Sequence, residues 1–144
     1  MSGLSDIFDG IETVLKDATN GITGLQVYKG APDSINSYPA AVIDLDDSID
    51  PLIAFNGNTF RLLFRISLYI SSGKDENGWR QLWDYIDPTQ ANTSVIKALR
   101  ADRSLNGKAD DSQIVKLDRR RRDVVGGGFL FAFDTVLDVV KTVA

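Results

Sequence analysis

Apolar residues near the start of the chain recur at the spacing of an amphipathic helix. A helix would bring them to one stripe: Leu4, Ile7, Phe8, Ile11, Val14, Leu15 and Ala18. Ser2 or Ser5 is the expected N-cap, and Asn20 followed by Gly21 is the expected stop. The pattern predicts a helix that covers a flat apolar surface.

Residues 58–70 have the most regular strand pattern of the chain. One face is apolar and is expected to lie in the core: Phe60, Leu62, Phe64, Ile66, Leu68 and Ile70. The other face is mixed: Thr59, Arg61, Leu63, Arg65, Ser67 and Tyr69. At about 3.4 Å per residue the strand is roughly 40 Å long, so we expect it to project past the core or to bend. The mixed face suits either a solvated surface or a subunit contact, because Tyr and Arg are enriched at interfaces and are also ordinary on surfaces.

Weaker alternation predicts four further strands. Two short ones are expected at 25–29 and 39–45, after the first helix. Two more, at 112–118 and 129–140, lie near the end of the chain. Residues 119–128 then become the tip of a β-hairpin, with glycines that supply the positive φ values of a tight turn. Arginines in this tip would project away from the core.

Two short helices are expected between the long strand and the hairpin. The first is ended by Pro88, and its stripe contains Trp79, Leu82, Trp83 and Ile86. Both tryptophans are interpreted as core anchors because they share this stripe. The second helix is expected at 93–102, with Asn92 or Thr93 as its cap.

This order of elements predicts a single α+β domain over residues 1–144. We expect a mostly antiparallel β-sheet with helices packed on one face and a long C-terminal β-hairpin. A chain of this length is suited to one hydrophobic core.

The composition removes several kinds of chemistry. The chain has no histidine and no cysteine, which excludes the usual zinc sites, thiolate and serine–histidine catalysis, and disulfides. Residues 44–50 contain four aspartates, but they lack the alternating ligands, central glycine and distal glutamate of a calcium loop. We interpret this segment as a solvated strand end and expect no metal, no cofactor and no enzymatic activity.

Charge and hydropathy bear on membranes and nucleic acid. Acidic residues near the N-terminus are atypical of a signal peptide, so we expect a mature, non-secreted start. The apolar segment 124–140 contains Asp134 and Asp138, each costing about 2.5–3.5 kcal/mol in a membrane, so no membrane span is expected. The net charge of −4 repels phosphate backbones, so any nucleic-acid contact would need a local basic patch.

The chain as a whole resembles the tail terminator (tail completion) proteins of long-tailed bacteriophages, the group that includes the lambda tail terminator. The resemblance covers almost the entire length as an ordered set of segments rather than a catalytic signature. Besides the N-terminal helix, these are "VYKGAPDSINSYPAAVI" at 27–43, "GWRQLWDYIDPT" at 78–89, "SVIKALRADRSLNGKADD" at 94–111 and the closing "GGGFLFAFDTVLDV".

The resemblance implies a structural role. Proteins of this family form hexameric rings that cap the tail tube, end its polymerisation and provide the docking surface for the head-side connector. The implied partners are further copies of the chain, the tail tube protein and the connector, with DNA passing through the ring without specific binding. The implied location is the tail–neck junction of the virion, after assembly in the host cytoplasm.

Such a ring needs contact surfaces, and the sequence offers candidates in the mixed strand face and in two charged segments. The interface candidates are Arg61, Arg65, Tyr69, Arg119, Arg120, Arg121, Arg122, Asp46 and Asp47. We favour a protein contact over a DNA contact for the arginine run, because the rest of the surface is acidic and offers it complementary partners.

Other functions remain open at this stage. A neighbouring neck or head–tail connector ring protein can share the same fold. A nucleic-acid-binding module could use the arginine run with Lys116, Arg61 and Arg65, and its binding would weaken steeply with salt. An enzyme using the acidic segment with magnesium ranks last, because no phosphate-cradling glycine motif or nucleophile accompanies it.

Overall fold

The computed structural model describes residues 4–30, 32–35, 37–46, 55–56, 59–72, 75–90, 92–125 and 128–142. Within these ranges the chain forms three helices, which are α1 (Leu4–Leu15), α2 (Asp75–Ile86) and α3 (Val95–Ala101). It also forms six strands, which are β1 (Gln26–Lys29), β2 (Ala40–Leu45), β3 (Phe55–Asn56), β4 (Thr59–Ser72), β5 (Asp111–Val125) and β6 (Gly128–Thr142). None of the helices in these ranges is long and apolar enough to span a membrane.

The strands form one sheet in the order β1-β2-β4-β6-β5, with β3 paired to β4 beside this path. Only β1 and β2 are parallel among the described pairs, and the others are antiparallel. The predicted α+β class, the mostly antiparallel sheet and the long C-terminal hairpin are confirmed. Strand β4 does not project alone, because β6 pairs with it from Thr59 to Ser72.

The hydrophobic core lies between one face of the sheet and the helices. Along the predicted apolar face of β4, Leu62, Phe64, Ile66, Leu68 and Ile70 are buried, with Phe64 and Ile66 completely inaccessible. The ring of Phe8 in α1 meets Phe64 edge-on at a centroid distance of 5.3 Å. In α2, Trp79 meets Phe131 of β6 in the same way at 5.0 Å. Each fully buried side chain of this size contributes roughly 1.5–3 kcal/mol, so this layer supplies much of the folding free energy.

Helix α2 corrects the prediction that both tryptophans anchor the core. Leu82 is fully buried, whereas Trp83 is 55% exposed. A methyl group at Gly78 would overlap the ring of Phe131, so glycine is what lets the helix approach β6 here. This approach centres the buried stripe on Gly78 and Leu82. Trp83, one residue after Leu82 and about 100° further around the helix, therefore falls outside the stripe.

Helix α1 ends earlier than the sequence pattern predicts. Its last residue is Leu15, and the chain then turns so that Ile22 N donates to Leu15 O at 2.7 Å. Gly21 N donates to Asp17 O at 2.8 Å within this turn. Ser5 lies inside the helix rather than at its cap, and the alternative cap Ser2 lies outside the described residues.

The cap of α3 also differs from the prediction. Ser94, rather than Asn92 or Thr93, is the N-cap, and its Oγ accepts a hydrogen bond from Lys97 N at 3.1 Å. Ser94 has the extended backbone of an N-cap, whereas Asn92 has a positive φ of 66°. The side chain of Thr93 instead donates to Asp84 O in α2 at 3.2 Å.

Candidate interface on the open face of the sheet

The face of the sheet opposite the helices carries most of the interface candidates. It is called the open face below, because no helix of the described residues packs on it. Its central side chains are Arg61, Leu63, Arg65, Ser67 and Tyr69 of β4 and Ala132, Asp134, Val136 and Asp138 of β6. The mixed half of the predicted strand pattern therefore becomes a surface that faces away from the core.

Arg65 is the centre of an ion-pair network on this face. Its Nε donates to Asp46 Oδ1 at 2.9 Å, and its Nη1 donates to Asp118 Oδ1 and Asp134 Oδ2, each at 3.0 Å. The side chain of Arg65 is only 12% exposed. One guanidinium thus joins the segment after β2 to β4, β5 and β6, which ties four neighbouring parts of the sheet together.

Asp134 is the most buried carboxylate of the network, with 2% of its side chain exposed. Besides Arg65, it accepts a hydrogen bond from Arg121 Nη1 at 3.2 Å, and Arg119 Nη1 lies 3.9 Å from it. Arg121 also lies over the ring of Tyr69, with Cζ 5.5 Å from the ring centroid. Because a buried carboxylate is costly without partners, these arginines are what allow an aspartate at the centre of the sheet.

A second ion pair lies nearer the other end of β4. Arg61 Nε donates to both carboxylate oxygens of Asp138, at 3.0 and 2.8 Å, and its Nη2 contacts the same group. The Asp138 side chain is 7% exposed, whereas that of Arg61 is 59% exposed. Arg61 therefore neutralises a buried acid and still presents guanidinium surface to the outside.

The network shifts the pKa values of several of its members. Burial alone would lower the pKa of Arg65, but hydrogen bonds to the three carboxylates outweigh it and raise that pKa, so the side chain stays charged. Burial would also lower the pKa of Arg121, but the hydrogen bond with Asp134 and the charge of that group outweigh burial and raise the pKa of Arg121. Burial would raise the pKa of Asp118, but Arg65 and Lys116 hold it below its ordinary value of 3.8. For Arg65, Arg121 and Asp118, ion pairing thus favours the charged form more strongly than burial opposes it.

The arginine run is where the structure contradicts the sequence prediction most clearly. Residues 119–128 are not a hairpin tip, because β5 continues to Val125 and β6 begins at Gly128. Strand β6 supplies a partner of matching length, and its Asp134 supplies a counter-charge for Arg121 at 3.2 Å and lies 3.9 Å from Arg119. Together they allow four consecutive arginines to lie within a strand.

Two irregularities in β5 decide which way its side chains face. The register slips between Ile114 and Lys116, so Leu117 turns toward the core while Lys116 and Asp118 turn to the open face. Simple alternation from Ile114 would have placed both charged residues in the core. A second slip lies between Asp118 and Arg121, where Arg119 adopts a positive φ of 54°. Bulges of this kind re-aim side chains along an edge strand.

The four arginines consequently have different environments. Arg121 lies on the open face, and Arg119 lies at the bulge beside Asp134. Arg120 is exposed at the same bulge. Arg122 is opposite Phe131 in the register, which places it on the helix side of the sheet. The run is therefore divided between two faces and an edge, instead of forming one positive loop.

The remaining predicted candidates are partly brought together. Arg65, Tyr69, Arg121 and Asp46 form one connected cluster, and Arg61 lies on the same face with its own partner. Asp47 lies outside the described residues. The acidic segment is thus used in part as a counter-ion for Arg65, rather than as a purely solvated strand end.

Three aspartates of the network were not among the sequence candidates: Asp118, Asp134 and Asp138. A signal for two of them was present, because Asp134 and Asp138 are four residues apart on the polar side of an apolar strand. Arg61 and Arg65 have the same spacing on β4. Antiparallel pairing of β4 with β6 places Arg61 diagonal to Asp138 and Arg65 diagonal to Asp134. Two arginines and two aspartates with the same four-residue spacing therefore predict two ion pairs across the strands.

The network on the open face pairs its charges within the chain. Its aspartates form ion pairs with arginines, and among the described residues no group of His, Cys, Asp and Glu could hold a metal ion. Paired charges arranged on a rigid sheet offer a partner a patterned, nearly neutral surface with Tyr69 and the outer part of Arg61 accessible. No protein-family model matches this chain, and no curated protein is significantly similar to it.

Proposed function

We propose that this chain is a structural virion protein that forms a ring, hexameric as in tail terminators, on the end of a phage tail tube. In this role it ends polymerisation of the tube and presents a docking surface to the head-side connector at the tail–neck junction. The observation that carries the proposal is the open face, a long sheet surface without a helix over it among the described residues. The ordered resemblance along the chain supports the same role.

The open face has the properties that a ring subunit needs. Arg65 links the segment after β2 to three strands, so the surface is stiff and its side chains are preorganised. Its buried carboxylates are already paired within the chain, so covering the face with a neighbour adds little cost for desolvating unpaired charge. Tyr69, half-buried beneath Arg121, is of a residue type enriched at protein contacts.

The same pairing weighs against a nucleic-acid-binding module. Affinity for DNA depends on cations that replace the counterions of phosphates. Here Arg61, Arg65 and Arg121 are already bound to aspartates. DNA is therefore expected to pass through the ring without being held.

Assembly with a tail tube protein tests the proposal. Purified chain should form rings, or cap tubes as rings once tube protein is added, and negative-stain microscopy would record either result. A monomer on its own does not decide, because a terminator can remain monomeric until it meets the tube. A chain that stays monomeric with the tube protein and binds labelled DNA at physiological salt would overturn the proposal.

A matched pair of variants connects the test to the predicted surface. Arg120→Glu reverses an exposed charge beside the open face, whereas Lys16→Glu reverses an exposed charge in the turn directly after α1. We expect the first to reduce tube capping and the second to leave it unchanged. Labelling the protein in whole particles would then distinguish a terminator at the tube end from another ring of the neck.

A further inference from the structure

A small cavity opens where the residues before β2 meet α2. Its volume is about 270 Å³, below the roughly 300–1,000 Å³ of sites for drug-sized ligands, so it suits a single side chain. Tyr38, which is 39% exposed, and Tyr85, which is half-buried, both line it. The cavity therefore offers two aromatic side chains to an incoming group.

Asp84 is the one charged residue in the described lining of the cavity. It is exposed, and its carboxylate forms no ion pair with any residue that the structure describes. Burial raises the pKa of Tyr85 above its ordinary value of 10.0, and the charge of Asp84 raises it further. Tyr85 is therefore neutral at physiological pH, and the described lining carries one negative charge.

A guanidinium group matches this lining. It is planar, stacks on aromatic rings and is more weakly hydrated than an ammonium group. A cation over an aromatic face is attracted by the ring quadrupole, and the attraction is stronger when water is excluded. The carboxylate of Asp84 adds an acceptor for the N–H donors of the guanidinium. The cavity therefore fits the side chain of an arginine.

Arg120 has a side chain that is available to a partner. It is exposed at the second bulge of β5, and it makes no hydrogen bond or ion pair with any described residue. Its neighbours in the run differ, because Arg121 bonds Asp134 and Arg119 lies 3.9 Å from the same carboxylate. Of these three arginines, Arg120 is thus the one whose charge the described chain leaves unpaired.

The cavity and Arg120 lie on opposite sides of one sheet. A single row of paired residues crosses β5, β6, β4 and β2, and its members are Arg121, Ala132, Tyr69 and Ala40. Arg120 precedes the first residue of this row, and Pro39, which lines the cavity, precedes the last. Strands β6 and β4 separate the two sites by three strand spacings, about 14 Å, and α2 packs on β6 between them. Arg120 therefore cannot reach the cavity of its own chain.

We propose that Arg120 of one copy inserts into the cavity lined by Tyr38 and Tyr85 of the next and pairs with Asp84 there. The inference rests on the proposed ring and names a contact that builds it. Because the donor and the acceptor are different surfaces, the contact is head-to-tail, and such contacts close into a ring when the rotation between copies allows it. The opposite charges also fix the direction in which the copies join.

A zero-length crosslink tests the contact without requiring a ring. In Arg120→Lys, a carbodiimide should couple the introduced amine to Asp84 of a second copy, and mass spectrometry of the digested product identifies the linked peptides. Mixing isotope-labelled with unlabelled chain separates links between copies from links within one chain. Adding Asp84→Asn should remove the link. Asp9→Asn, which neutralises an exposed aspartate on α1, is the control and should keep it.

Charge exchange tests the same contact in the assembly with tube protein. Arg120→Glu should raise the protein concentration needed for rings by about tenfold or more, as should Asp84→Arg, and one chain carrying both changes should form rings like the wild type. Both side chains are exposed, so these variants should keep their fold, and thermal unfolding checks this. Tyr38→Ala keeps every charge of the contact and should weaken ring formation through the lost aromatic surface.

The two experiments separate the docking from the proposed function. If wild-type rings form on the tube but give no link between positions 84 and 120 and tolerate both reversals, the docking is wrong and the ring stands. If the link forms and depends on Asp84 while no ring forms with tube protein, the docking stands and the proposed function is wrong. Absence of both the link and the ring rejects both.

Discussion

Arg65 Nη1 lies 3.0 Å from Asp134 Oδ2, across the boundary between the two central strands of the sheet. Neither residue is opposite the other in the register, since Arg65 faces Val136 and Asp134 faces Ser67. The pair is therefore diagonal, and its side chains are only 12% and 2% exposed. A charged pair withdrawn from water to this degree stabilises the sheet only while it is complete.

Removing the cation should therefore be costly. Arg65→Met leaves Asp46, Asp118 and Asp134 without their shared partner, and we expect the free energy of unfolding to fall by about 3–5 kcal/mol in urea titrations. Lys16→Met is the control, because it removes a cation from an exposed pair with Glu12 and should change stability by less than about 1 kcal/mol. Equal losses in both variants would mean that the network adds nothing beyond surface pairing.

Acid should weaken the fold through Asp118. Its pKa is lower in the folded chain than its ordinary value of 3.8, because Arg65 and Lys116 outweigh the effect of burial. The unfolded chain therefore binds the proton more readily, so the stabilisation is fully present above about pH 4 and is lost as the pH falls through the folded pKa. Unfolding followed at pH 6 and then stepwise below pH 4 should show this loss.

The variant Asp118→Asn isolates that contribution. It should be less stable than wild type at pH 6 and should lose less stability on acidification. Asp33→Asn, an exposed aspartate without a hydrogen bond or ion pair among the described residues, is its control. If Asp118→Asn keeps the wild-type dependence of stability on pH, the acid sensitivity comes from other carboxylates. Asp102 is one of these, because its hydrogen bond with Ser104 is the main cause that lowers its pKa.

The two tryptophans of α2 should respond differently to truncation. Trp79→Ala removes the edge-on contact with Phe131 and should cost about 3 kcal/mol in the free energy of unfolding. Trp83→Ala removes a side chain that is 55% exposed and should cost less than about 0.5 kcal/mol. Denaturant titrations of both variants compare them directly, and a large loss in Trp83→Ala would restore the two-anchor interpretation.

Thr135 offers a substitution that should stabilise the fold. Its side chain is fully buried, and its Oγ1 has no hydrogen-bond partner among the described residues. Thr135→Val replaces the hydroxyl with a methyl group of similar size, so thermal unfolding should show a gain of about 1 kcal/mol. Ser112→Ala is the comparison, because that buried hydroxyl donates to Arg103 O at 2.8 Å and its removal should destabilise. A loss of stability in Thr135→Val would show that the hydroxyl is satisfied.

Much of the sheet could be predicted because its signals are local. Strand β4 alternates strictly, so its core face follows from the sequence alone. The same reasoning failed for 119–128, because a run of arginines followed by glycines is typical of a loop. What keeps the run in a strand is the length of β6 and the position of Asp134 within it. Neither of these can be read from the local sequence of the run.

The sequence predicted which side chains of β4 lie on the candidate interface, but not which ion pairs they form. Arg61, Arg65 and Tyr69 follow from alternation along one strand. The spacing of Asp134 and Asp138 matches that of Arg61 and Arg65, but which acid meets which arginine, and the part played by Asp118, follow only from the strand order and the register.

The amino-acid sequence by itself determined the α+β class, the apolar face of β4 and the absence of histidine and cysteine chemistry, because these depend on periodicity and composition. Only the tertiary structure decided the facing of the arginines, the exposure of Trp83 and the meeting of Arg65 with its three aspartates. Bulges, a close helix approach at Gly78 and the strand register set those outcomes. Each of them depends on residues that are distant in sequence and is absent from any local pattern.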